Sequence, residues 1–226
     1  MAKRETDRNT DQVAAVHSGG IYKEREAAMN DTMTFRMLGM VLNGNVKKEI
    51  ADQSVRKNIA KTYREIVQRA SDIGDKNTLL GAYGLAAYFI ALNRCDGLTP
   101  EQNIDIMEKG LRNSRVYRMT MGSADSYFSE KHMEARRRWS QETYKRAYKN
   151  DWLVDVIEKT DDFEFGFDYH ACGVCKLCQD EGCPAYAKYL CRLDFMTSEM
   201  MGIKLRRTMT LAEGFDKCDF RFSRKE

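Results

Sequence analysis

The chain has 226 residues, 42% of them hydrophobic and 31% charged, with a formal net charge of +3. That length supports one large domain with a substantial core, and so small a charge gives no field that would draw the protein to nucleic acid or to a membrane surface. The longest nearly apolar run, residues 79–92, is too short to span a bilayer, and the opening MAKRETDRNTDQ has no apolar stretch of the secretory kind, so a cytoplasmic protein is expected.

Residues 1–20 show no periodicity and end in Ser18-Gly19-Gly20, which reads as a mobile or loosely docked arm. Helical patterning follows over 21–43 and stops at Asn43-Gly44-Asn45. A second helix is expected over 46–73, where Ala51, Val55, Ile59, Tyr63, Ile66, Ala70 and Ile73 form one apolar face. The third, 76–94, is apolar nearly all round and should be the most buried. Thr99, Pro100 and Gln102 form the start signal of a short helix to about Asn113, with Thr99 as cap and Gln102 completing a capping box. A long charged helix is expected over 124–150, where Arg136, Arg137 and Arg138 fan around the circumference as a solvated face.

The pattern changes at Trp152. Residues 152–157 and 163–169 read as strands joined by a turn at Asp161-Asp162, and 203–210 and 218–222 alternate likewise. A helix over 185–201 separates the two pairs. The expected fold class is therefore α+β: a helical N-terminal half (21–150) packed on a C-terminal antiparallel β-β-α-β-β unit (151–226), forming one integrated domain.

That C-terminal unit carries six of the seven cysteines. Cys172, Cys175, Cys178 and Cys183 have the spacing C-x2-C-x2-C-x4-C-P, one residue longer than a bacterial ferredoxin run. Four thiolates would also suit tetrahedral zinc. A cytoplasmic location argues against structural disulfides, so reduced thiols, a zinc or iron–sulfur site, or a catalytic thiolate are the readings to weigh. Cys191 shares a helix face with Asp194, whose charge would raise the thiol pKa unless cations such as Arg192, Arg206, Arg207 or Arg221 offset it. On the last strand Cys218 shares a face with Phe220 and Phe222, while Asp219 and Arg221 occupy the other. Cys95, after an apolar helix, reads as a small buried hydrophobe, and His170 as an ordinary residue at a strand end.

Three segments together carry a resemblance: YLCRLDF at 189–195, RTMTLAEG at 207–214 and CDFR at 218–221. With GFDYHACGVCKLC at 166–178, they resemble the L-2-amino-thiazoline-4-carboxylic acid hydrolase family over roughly residues 160–224. The closing segment is also similar to small-ligand-binding domains of the 4-vinyl reductase type, which are α+β. The family resemblance implies a hydrolase acting on a carbon–nitrogen bond of a cyclic amidine, opening a thiazoline ring to N-carbamoyl-cysteine. It implies a small-molecule substrate and no required cofactor, and the chain is expected to bind neither nucleic acid nor membrane and to be a candidate homo-oligomer. On chemical grounds Cys191 or Cys218 would be the nucleophile and Asp194 or Asp219 the acid/base. Arg207 or Arg221 would clamp a substrate carboxylate, while Thr210 and Glu213 shape the pocket. The alternatives are a metal- or cluster-binding accessory protein and a non-catalytic ligand-binding module.

Overall fold

In the computed structural model, which describes residues 33–69, 79–148 and 150–225, the chain is first seen in helix α1 (Met33–Val46). The expected arm at 1–20 and the beginning of the first helical stretch, 21–32, lie outside the described residues. Helix α1 passes through Asn43-Gly44-Asn45 instead of stopping there. Tertiary contacts carry it: Tyr88 Oη donates to Asn43 Oδ1 at 2.8 Å, and Val46 is buried. Helix α2 (Gln53–Arg69) starts later than its apolar pattern suggests, because Asp52 accepts from the amides of Ser54 and Val55 at 2.7 and 3.4 Å and so caps it. Ala70 and Ile73 of the expected face fall outside the described residues.

Helix α3 (Leu80–Cys95) is enclosed on all sides, with Ala86 to Leu92 wholly buried, as its composition requires. Helix α4 (Pro100–Asn113) carries the anticipated capping box. Gln102 N–H donates to Thr99 Oγ1 at 3.3 Å, and Thr99 N–H donates to Gln102 Oε1 at 2.9 Å. The single helix expected over 124–150 is instead divided. Helices α5 (Arg115–Met121), α6 (Ala124–Tyr127) and α7 (Glu130–Tyr144) follow one another, each starting just after a serine. Ser114 and Ser123 accept from the amides of Tyr117 and Ser126, and Gly122 takes a positive φ of 77°. These caps and the left-handed glycine set the ends of α5 and the start of α6, and at the break before α7 Ser129 Oγ donates to the Ser126 carbonyl at 2.8 Å. The three arginines of α7 form no open basic face. Arg136 stacks 3.8 Å from the Tyr127 ring centre, Arg137 pairs with Glu130 and Glu158, and Arg138 pairs with Glu134.

Strands β1 (Leu153–Ile157) and β2 (Phe165–Ala171) lead into helices α8 (Gly173–Asp180), α9 (Ala187–Leu190) and α10 (Arg192–Met200), then strands β3 (Ile203–Arg206) and β4 (Cys218–Arg224). The sheet is antiparallel throughout, in the order β1-β2-β4-β3. This is the expected α+β architecture, but the helix expected over 185–201 is interrupted at Cys191, between α9 and α10, and two further differences stand beside it. The cysteine run is largely helical, as α8. Strand β3 stops at Arg206 rather than 210, because the Asp219 carboxylate takes the amides of Thr208 and Met209 at 2.8 and 2.6 Å. Those two donors are then committed to a side chain rather than to a sheet ladder.

The register gives the sheet two unlike faces. Phe165, Phe167 and Tyr169 of β2 lie opposite Phe222, Phe220 and Cys218 of β4 and turn toward the helices. Their rings interlock, with Phe165 and Phe167 centred 4.6 Å apart and Tyr169 and Phe220 5.1 Å apart. The outer face holds Asp168 between Lys217 at 2.7 Å and Arg221 at 2.8 Å. Burial opposes ionisation of Asp168, but these two cations win and hold its carboxyl below the usual range. Arg221 crosses Gly166, where a Cβ would lie 2.6 Å from the Phe220 carbonyl oxygen, so only glycine fits between the strands.

Candidate functional site

Between the helices and the aromatic face of the sheet lies a cavity of about 560 Å³. Its helical wall includes Met37, Leu38 and Val41 of α1, Ala82 and Leu85 of α3, and Met121 of α5. Its other wall includes Tyr169, Cys172, Cys191, Asp194, Arg207 and Cys218. The fold thus brings Cys191, Asp194, Arg207 and Cys218 to one enclosed space, although they come from the α9–α10 junction, α10, the β3 exit and β4.

Cys218 is buried beside Tyr169, and its sulfur accepts from the Leu211 N–H at 3.2 Å. Thr210 and Glu213 make that donor available. Thr210 Oγ1 donates to Glu213 Oε2 at 2.7 Å, bracing the 3-10 turn Leu211–Glu213, and Gly214 closes the turn at φ 90°. Neither residue lines the cavity; they aim a backbone donor at it. Burial pushes the Cys218 thiol up to about 11, while the Leu211 amide and Arg207 act to lower it. Cys191 is raised further, first by burial and then by the Asp194 charge.

Asp194 Oδ2 accepts from Arg207 Nη1 at 2.6 Å. Its side chain keeps 42% of its accessible area, against 5% for Arg207. Protein nevertheless surrounds this carboxylate, and its open area faces the cavity. Burial outweighs the attraction of Arg207, so the Asp194 carboxyl lies above the usual carboxylate range. Arg207 is held on three sides. Its Nη2 donates to the Cys191 carbonyl at 3.0 Å, and its guanidinium lies 4.9 Å and 4.8 Å from the ring centres of Phe195 and Phe220.

The other two expected site residues of this segment, Asp219 and Arg221, do not line the cavity. Asp219 braces the 208–209 backbone, with Thr208 Oγ1 donating to it at 2.7 Å, and Arg221 serves the outer face. The period-2 alternation that separates them from Cys218 was readable in advance; its consequence for their roles follows from the register.

Two cavity residues escaped the sequence reading. Tyr127 and Tyr169 line it, and among the described residues neither hydroxyl has a hydrogen-bond partner. The signal was present at 165–169, where a tyrosine shares a face with two phenylalanines. Such a position carries a hydroxyl into apolar surroundings.

The four-cysteine run divides in two. Cys172 and Cys175 line the cavity, and the Cys175 thiol together with burial pushes Cys172 well above its usual range. Cys178 is buried on α8, which packs on α3, and its neighbour is Cys183. The adjoining Cys178 thiol, with Arg94 adding to it, lowers the Cys183 thiol. Among the described residues no group of three or more His, Cys, Asp or Glu side chains is arranged to hold a metal ion. Gly173 explains the tight start of α8, since a Cβ there would lie 2.9 Å from the Trp152 ring. Outside the cavity His170 pairs with Asp155 at 3.0 Å, and Cys95 lies 3.4 Å from Thr62 Oγ1.

The family model for L-2-amino-thiazoline-4-carboxylic acid hydrolase matches residues 80–222. The chain belongs to this family. The match extends beyond the segment that carried the resemblance, taking in α3 to α7 as well as the sheet, so most of the residues that line the cavity lie within it. Helix α1, with Met37, Leu38 and Val41, lies outside the matched residues. No curated protein and no solved structure matches the chain. Among the described residues no helix is long and apolar enough to cross a membrane.

Proposed function

We propose that this member of the family is a hydrolase acting at the carbon of a cyclic amidine, with Cys218 as nucleophile and Asp194 as the proton carrier. The observation that carries the reading is the pairing, in one cavity, of a sulfur facing a backbone N–H with a carboxyl raised above the usual carboxylate range. Arg207 is a positioning residue in this scheme, because it donates to Asp194 and to the Cys191 carbonyl and keeps only 5% of its side chain exposed.

The step balances as follows for an aminothiazoline bound as the amidinium. The Cys218 proton passes to the Asp194 carboxylate as the sulfur bonds to the amidine carbon. The ring carbon–sulfur bond breaks, and Asp194 returns the proton to the departing ring sulfur. Water then adds to the same carbon and gives a proton to Asp194. The bond to Cys218 breaks, that proton returns to the Cys218 sulfur, and the proton the amidinium brought goes to water. Both carbon–nitrogen bonds survive in the N-carbamoyl product. A carbon–nitrogen bond is the one that breaks only for an amidine or amide without ring sulfur.

Turnover of 2-aminothiazoline, with and without the 4-carboxylate, tests the reading. Cys218→Ser should lose at least ~100-fold and Cys191→Ser far less. Full activity of Cys218→Ser overturns it. One observation favours the non-catalytic alternative of a ligand-binding module: burial raises the Cys191 and Cys218 thiols away from thiolate at neutral pH. A co-purified ligand and no turnover of any amidine would support that alternative.

A further inference from the structure

The wall of the cavity is chemically one-sided. Arg207 is the one cation among its described lining residues, Asp194 the one anion, and the two are already paired at 2.6 Å. With 5% of its side chain exposed and an aromatic ring on each side, Arg207 has little left to offer an incoming carboxylate. What remains unsatisfied at that end is Asp194 Oδ1 and the hydroxyls of Tyr127 and Tyr169, none with a hydrogen-bond partner among the described residues. An acceptor of raised basicity beside two phenol groups suits a polar nitrogen head, and no unpaired cation among the described lining residues is there to receive an anion.

The opposite end is lined by methionine, leucine, valine and alanine, with no charged side chain. At about 560 Å³ the cavity is in the range that encloses a drug-sized molecule, roughly 300–1,000 Å³, which is far more than a bare aminothiazoline ring needs. We propose that the native substrate is an amphipathic amidine without a carboxylate. Its nitrogen head sits at Asp194, Tyr127 and Tyr169, and its apolar body extends between α1, α3 and α5. The proposal rests on the amidine reading above and replaces the thiazoline carboxylate with a more apolar, non-anionic relative. Helix α1, which supplies Met37, Leu38 and Val41 to the apolar end, lies outside the family match, so this end is not fixed by the shared segment.

Calorimetric titration of the full chain with acetamidine, hexanamidine and decanamidine, and with hexanoate and decanoate, tests it without turnover. Amidine affinity should rise with length, by up to about fourfold per methylene, with a negative heat-capacity change. Each carboxylate should bind at least ~10-fold more weakly than the amidine of equal length. Gly81 lines the cavity and a Cβ there meets no atom within 4 Å, so Gly81→Leu adds bulk without a clash and should remove the gain with length. Asp194→Asn should remove the preference for amidines over carboxylates. Affinity independent of length, or carboxylates binding as tightly as amidines, overturns the proposal. Amidine binding as expected without hydrolysis of any amidine would sink the hydrolase reading and leave the amphipathic amidine standing as a ligand and not as a substrate. Hydrolysis confined to the carboxylate-bearing ring would do the reverse.

Discussion

Cys191 and Cys218 line one cavity, yet their sulfur atoms differ in a way that labelling can read. Cys218 has a backbone N–H donor at 3.2 Å and a thiol held at about 11, whereas burial and the neighbouring Asp194 charge hold Cys191 higher. Iodoacetamide should therefore modify Cys218 faster at every pH, with a rate that climbs through neutrality and levels near about 11. A plateau well below pH 9, or faster labelling of Cys191, as read by mass spectrometry, would contradict this. Arg207 gives a second test at the same scale. It is the attractive partner that restrains Asp194 from rising further. In Arg207→Met only burial acts, so the carboxyl rises and the acidic limb of the pH–rate profile moves to higher pH. The sign follows because the ionised carboxylate must take the thiol proton. A limb that stays in place would mean that Asp194 carries no proton in the reaction.

At the scale of single elements, what could be read in advance follows the range of the interaction. The capping box at Thr99 and Gln102 is made by residues three apart, and it forms as its sequence implies. The alternation at 163–169 and 218–222 is also local, and both segments are strands. The helix expected over 124–150 breaks at Ser129, whose hydroxyl donates to the Ser126 carbonyl, a bond that a hydrophobic pattern does not register. The extension of α1 past Asn43 depends on Tyr88, far along the chain. Nor could spacing reveal that the four close cysteines would separate into two pairs, because α8 turns Cys172 and Cys175 to the cavity and Cys178 toward the packed helices. Two substitutions compare the two ranges by urea unfolding. Thr99→Ala removes one cap and should cost about 1 kcal/mol. Gly166→Ala forces a Cβ within 2.6 Å of the Phe220 carbonyl and should cost more, about 1–3 kcal/mol. The reverse ranking would mean that β2 and β4 can separate without penalty.

For the whole molecule, the two sheet faces divide the labour. The inner face holds the reactive groups, and the outer face holds the Asp168, Lys217 and Arg221 cluster. Because the Asp168 carboxyl is lowered in the fold, its contribution is present above the unfolded value of about 3.9 and is lost as pH falls through the folded one. Asp168→Asn should thus be less stable at pH 7, on the order of 1 kcal/mol since both cations keep contact with water, and the deficit should vanish near pH 2. An equal deficit at both pH values would assign the loss to packing instead. The strand order has a kinetic corollary. β4 lies between β2 and β3, and among the described residues β3 pairs with no other strand, so β3 stays single until β4 has docked. Docking of β4 also brings Cys218 beside Tyr169 and seats Phe220 against Arg207. Pairings between segments so far apart in the chain form slowly, which makes this a late event in refolding. A partly folded chain, however helical, would hold half of the cavity wall, and the return of a buried Cys218 thiol would serve as a clock for the last step of the fold.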